Sequence, residues 1–82
     1  MPRVQMMASC HPSDLLQKAQ ALEHWAAARE RAVARLELRV KRLEDQKRVD
    51  QAARLRCAAH HLRHAALRER LHAAALRKAA QP

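Results

Sequence analysis

From Leu15 onward the apolar positions fall into two stripes with the same rhythm. Leu15, Ala19, Leu22, Ala26, Arg29, Val33, Leu36, Val40 and Leu43 follow one another at steps of four and three. That is the repeat of a helix that turns one seam toward a partner helix. Arg29 is its one polar member. Leu55, Ala59, Leu62, Ala66, Glu69, Ala73, Leu76 and Ala80 repeat the spacing, again with one polar member, Glu69. The stripes are out of register, because Leu43 and Leu55 lie 12 residues apart and a continuous seam would need whole heptads. Between them runs the most polar stretch of the chain, Glu44-Asp45-Gln46-Lys47-Arg48-Val49-Asp50-Gln51.

Two architectures satisfy this pattern. In one, the chain is a continuous coiled-coil rod whose seam rotates at the polar stretch. In the other, it folds back there as an antiparallel, coiled-coil-like two-helix hairpin. Antiparallel pairing matches Leu43 with Leu55, Leu36 with Leu62, Arg29 with Glu69 and Leu22 with Leu76, all about a midpoint at position 49. It therefore opposes the only two polar intruders, which carry opposite charges, and the hairpin is the preferred all-α fold. The expected organisation is an N-terminal arm over 1–12, described as flexible, and a single helical domain over 13–81. That domain comprises a helix over 13–45, a turn over 46–50 and a helix over 51–80. Ser13 and Asp14 offer an N-cap and a first-turn acid, and Asp50 offers a cap for the second helix. The turn contains no Gly, Pro or Asn to end the first helix. Glu23, Glu30, Glu37 and Glu44 recur every seventh residue and read as a solvated flank, with Glu37–Lys41 and Glu44–Arg48 as helical neighbours.

Composition limits how much such a hairpin can bury. Alanine supplies 19 residues, about half of the hydrophobic complement, and the chain has no glycine, tyrosine or phenylalanine. At ~25 cal/mol per Å² an alanine seam yields little. A chain of this size is also marginal alone, so a partner or a second copy is expected. Leu16, Leu38, Leu67 and Leu71 lie off the main seams and call for more cover than two helices provide. A homodimeric four-helix bundle or a groove-filling complex would supply it.

Charge adds a second theme. The formal net charge is +9, with 17 Lys and Arg against 8 Asp and Glu. Residues 51–82 carry seven bases and the single acid Glu69, so the second helix is the expected face for an acidic partner, with Arg63 and Arg70 among its contacts. Nucleic acid is the alternative partner for this Arg-rich helix. Against it stand a lone aromatic, Trp25, and arginines that surround the helix rather than line it. The excess of arginine over lysine, 13 to 4, suits carboxylate or phosphate, although a GC-rich genome gives the same bias.

Candidate chemistry is sparse. Cys57, His60, His61 and His64 follow one helical ridge and are weak metal ligands, since one helix rarely closes a tetrahedral site; the Cys10-His11 arm or another chain would have to complete it. Histidine also titrates near neutrality, so the same ridge would serve a pH-responsive module. No glycine is present for a tight oxyanion turn, and the acids sit at flank spacing, so no enzyme activity and no cofactor are expected. The two cysteines are too few for a disulfide framework, and no signal peptide or membrane span is evident. A cytoplasmic location follows, with the mitochondrial matrix left open by the acid-free start. The expectation is a small non-enzymatic interaction protein, an adaptor, assembly or chaperone-like subunit, in a homo- or hetero-oligomer. It would bind a protein partner with acidic and apolar surface. A nucleic-acid binder ranks second, and a metal- or pH-responsive helix third.

Overall fold

A computed structural model describes residues 11–82, and residues 1–10 of the expected 1–12 arm, with Cys10, lie outside the described residues. Helix α1 runs Pro12–Asp45 and helix α2 runs Val49–Ala80. The start of α1 is set by proline, whose fixed φ suits the first helical position and whose missing N–H would be unpaired there in any case. His11 is the N-cap: it has extended backbone, and its Nδ1 accepts from the Ser13 N–H at 3.3 Å. Ser13 is thus already inside the first turn, its hydroxyl 3.0 Å from the same His11 nitrogen. Asp14 in that turn meets the positive end of the helix dipole.

The reversal is made without glycine. Lys47 adopts φ 60°, in the left-handed region. Its N–H donates to Glu44 O at 2.9 Å, and the Arg48 N–H donates to Leu43 O at 2.8 Å. These paired bonds satisfy two of the last carbonyls of α1 around a left-handed residue. A lysine there bears the Cβ crowding that glycine would avoid. The turn occupies 46–48, so α2 begins two residues earlier than the sequence suggests. Its N-cap is Arg48, which makes no side-chain cap bond, and Asp50 sits in the first turn as a favourable charge rather than a cap.

The two helices pack against each other along their length, so the chain is a hairpin and not a continuous rod. The register is the expected one. Leu55 packs against the cluster of Val40, Leu43 and Ala52, and Arg29 Nε donates to Glu69 Oε1 at 2.9 Å. What lies deepest differs from a leucine seam. The buried residues are Ala19, Ala26, Val33, Val40 and Leu43 on α1, and Ala52, Ala59, Ala66 and Ala73 on α2. Apart from Leu43 they stand seven residues apart on each helix. Leu15, Leu22, Leu36, Leu55, Leu62 and Leu76 flank this line half-buried. Small side chains let the two backbones approach, and the leucines then straddle the contact instead of filling it. The line tapers from valine and leucine beside the turn to alanine at the open end, so apolar burial is concentrated near the turn.

Candidate functional site

The long edges of this hairpin are chemically unlike, and α1's heptad explains why. On one edge, Glu23, Glu30, Glu37 and Glu44 ascend α1 at steps of seven, while Arg77, Arg70, Arg63 and Arg56 descend α2 at the same step. Antiparallel packing brings each glutamate to one arginine: Glu23 to Arg77, Glu30 to Arg70, Glu37 to Arg63 and Glu44 to Arg56. Two rungs are bidentate. Arg70 donates from Nε and Nη2 to Glu30 at 2.7 and 2.6 Å, and Arg77 donates likewise to Glu23 at 2.8 and 2.7 Å. This fork-to-carboxylate geometry is the strongest form of the interaction and one that lysine cannot reproduce.

Hydrogen bonding from Arg77 holds the Glu23 carboxyl below its ordinary range, and Arg70 does the same for Glu30, in each case against a smaller desolvation effect. The arginines move in the complementary direction: bonding to Glu30 raises Arg70, and bonding to Glu23 raises Arg77. Three of the rungs are solvent-exposed and Glu23–Arg77 is part-buried, so each exposed rung contributes little to stability; what they fix is pairing and orientation. The fifth ion pair, Arg29–Glu69, bridges the helices from within the seam, its side chains 36% and 15% exposed. It is the least hydrated of the five and the one most sensitive to losing a partner.

These contacts change the reading of α2 as a uniformly basic helix. Four of its seven bases, Arg56, Arg63, Arg70 and Arg77, face carboxylates of α1. Arg63 and Arg70, expected as partner contacts, stand in this ladder. The glutamates expected as a solvated flank are its other half. Glu37–Lys41 and Glu44–Arg48 are not among the salt bridges of the described residues. The seven-residue period of both halves was present in the sequence, acids on one helix and arginines on the other, but these pairs mirror about position 50, one residue from the midpoint that pairs Arg29 with Glu69.

The opposite edge has no such compensation. Along α1 it carries Lys18, Trp25, Arg35, Arg39 and Arg42. Along α2 it carries Arg54, His61, Arg68 and His72, and between Lys18 and Ala79 no carboxylate stands at the seven-residue repeats of these positions within the same helix. Beside the turn, Arg35, Arg39, Arg42 and Arg48 line one open groove with Gln46 and Gln51, its floor supplied by Leu43. None of the four arginines has a carboxylate within 4.0 Å among the described residues. Toward the open end the same edge turns apolar, where Trp25 and Leu22 meet Leu76 and His72.

The expected apolar contacts are all exposed: Leu16 at 39%, Leu67 at 55%, Leu38 at 61% and Leu71 at 62%. They do not form one patch. Leu67 and Leu71 are adjacent turns on the outer face of α2, Leu38 lies on the outer face of α1, and Leu16 is near the open end. Trp25 and Val49, which the off-seam pattern does not single out, are exposed as well. On the candidate metal ridge, the His60 and His64 rings lie 4.3 Å apart between centroids, and His60 and His61 lie 6.1 Å apart. Cys57 is an exposed free thiol lining the same groove as His60. Among the described residues no three His, Cys, Asp or Glu side chains come together around one point. His11, a possible outside ligand, is engaged in capping α1.

No described helix is long and apolar enough to cross a membrane. No protein family, curated protein or solved structure matches the chain, so its function is argued from these surfaces.

Proposed function

We propose that this chain is a small non-enzymatic interaction protein, an adaptor, assembly or chaperone-like subunit, that presents a folded-back helical pair to a protein partner or to a second copy of itself. The observation that carries this reading is the inversion of burial. Alanines occupy most of the interhelical contact, while Leu38, Leu67, Leu71 and Trp25 remain more than half exposed. A hairpin stabilised by its own core would place those side chains inside; one completed by association leaves them for the second body. Leu67 and Leu71 form the natural anchor. Arg63 and Arg70 border Leu67 on the same helix, and held by Glu37 and Glu30 they form a polar rim of fixed ion pairs around that anchor.

Sedimentation equilibrium at micromolar concentration tests this directly. The expected result is a dimer or larger species that Leu67→Glu with Leu71→Glu converts to a less stable monomer. A fully helical, stable monomer of 9.4 kDa would contradict the reading.

A further inference from the structure

We propose that the groove beside the turn is a binding site for the phosphate backbone of double-stranded nucleic acid, recognised without regard to sequence. This surface is separate from the apolar outer face of α2, so it extends the interaction reading without depending on it.

The argument begins with charge that is left after the ion pairs are formed. Five glutamates pair with five arginines, and four of the arginines left over share one groove with no carboxylate in its lining. Arg35, Arg39, Arg42 and Arg48 line one groove with the amides of Gln46 and Gln51. The acids adjacent to it in sequence, Glu37, Glu44, Asp45 and Asp50, are not part of its lining, and Glu37 and Glu44 are engaged by Arg63 and Arg56. Four guanidinium forks and two carboxamides on one open surface form an array of hydrogen-bond donors with permanent charge, the chemistry that phosphate oxygens satisfy.

Spacing and texture favour a phosphate backbone over an acidic protein. Arg35, Arg39 and Arg42 stand at i, i+4 and i+7, spanning about 10 Å at ~1.5 Å per residue. One strand of a duplex places about three phosphates over that rise, at ~3.4 Å each. A protein interface would need an apolar anchor at its centre, and here only two lining residues are apolar, the already buried Leu43 and the exposed Leu38, against four arginines and two carboxamides. An unpaired strand would need an aromatic platform. Trp25, the only aromatic residue of its kind in the chain, is not among the residues of the groove. A rigid helix carrying donors but no stacking group suits a duplex, whose bases are already stacked.

Fluorescence anisotropy on the full chain with two labelled 30-base-pair duplexes of unrelated sequence tests the assignment. Both should bind equally, and four phosphate contacts should weaken binding about 100-fold between 50 and 200 mM salt. Substituting Arg35→Gln, Arg39→Gln and Arg42→Gln together should weaken binding at least tenfold and reduce the log–log salt slope by about 2–3. A control with the same charge removed from outside the groove, Arg31→Gln, Lys41→Gln and Lys78→Gln, should keep most of the affinity. All six positions are exposed, and circular dichroism verifies that both variants remain helical. Absence of duplex binding at 50 mM salt overturns the proposal, as does equal loss in the two triple variants, which would show only diffuse attraction. Equal affinity for polyglutamate of matched charge would also overturn it and assign the groove to an acidic protein. Failure in any of these leaves the Leu67–Leu71 association test untouched, because no substitution falls on that pair.

Discussion

The two long edges of the hairpin are built on the same heptad and reach opposite electrostatic states. On the ladder edge, every cation of α2 that faces α1 finds a glutamate, so that side is close to neutral and its side chains are held in fixed pairs. On the other edge the corresponding positions are lysine, tryptophan, arginine, alanine, glutamine or histidine, and none of the arginines of the turn groove has a carboxylate within 4.0 Å among the described residues. Net charge counted along the sequence assigns the excess to the C-terminal third. In the folded molecule four arginines unpaired among the described residues gather in the turn groove, and α1 contributes three of them, Arg35, Arg39 and Arg42. Neutralised arginines specify the fold, whereas uncompensated arginines are available for a partner.

Reversing the ladder should break this contrast most severely. Glu23→Arg, Glu30→Arg, Glu37→Arg and Glu44→Arg together would place like charges opposite one another on all four rungs. Thermal unfolding followed by circular dichroism should then show loss of the cooperative transition at neutral pH and low salt, with partial recovery at high salt as the repulsion is screened. The groove triple of Arg35→Gln, Arg39→Gln and Arg42→Gln, which also alters charge on α1, should leave the transition in place. Equal damage from both sets would mean that the edges do not differ in structural role.

A smaller effect distinguishes the internal pair from the exposed rungs. Arg29→Leu or Glu69→Leu alone should cost about 1–2 kcal/mol, because each leaves a poorly hydrated charge without its partner. The double substitution should recover most of that loss, since two leucines would continue the seam. Strictly additive melting shifts in the double-mutant cycle would deny the contact between these residues. Lys47→Gly should act in the opposite direction, stabilising the hairpin by about 0.5–1 kcal/mol through relief of the left-handed lysine, offset in part by the freer unfolded chain. No gain in chemical denaturation would place the turn in another geometry.

The all-helical hairpin and its register were legible because they rest on side-chain period, and Arg29 with Glu69 supplied a unique charge match. The composition of the buried line was less legible. Heptad positions do not say which of two apolar lines lies deeper, and here backbone approach over Ala59, Ala66 and Ala73 takes precedence over leucine burial. The turn was obscure because αL geometry is signalled by glycine, and Lys47 adopts it under the constraint of helices already paired. The ladder was only half legible: the seven-residue period of its acids and arginines is plain, but Glu37 and Glu44 have neighbours four residues on, and the seam mirror about position 49 directs them to His61 and Arg54, two residues short of the Arg63 and Arg56 that flank the seam and meet them. The arginine groove could be located only after those pairs were assigned.

The partition of charge between the edges depends on specific carboxylate–guanidinium rungs, and carbon-13 NMR titration of the glutamate carboxyls reads those rungs one by one. Because Glu23 and Glu30 have lowered values in the hairpin, their stabilising contribution is complete above the ordinary value of 4.5 and disappears as pH falls through the lower folded values. The account predicts that both residues titrate below 4.5 in the intact chain. It further predicts that Arg70→Gln returns Glu30 toward that value while moving Glu23 much less, since Arg70 is only a minor influence on Glu23. Ordinary titration of Glu30 in the intact hairpin, or a Glu30 carboxyl indifferent to the loss of Arg70, would contradict the ladder and the division of the molecule into a paired edge and a basic one.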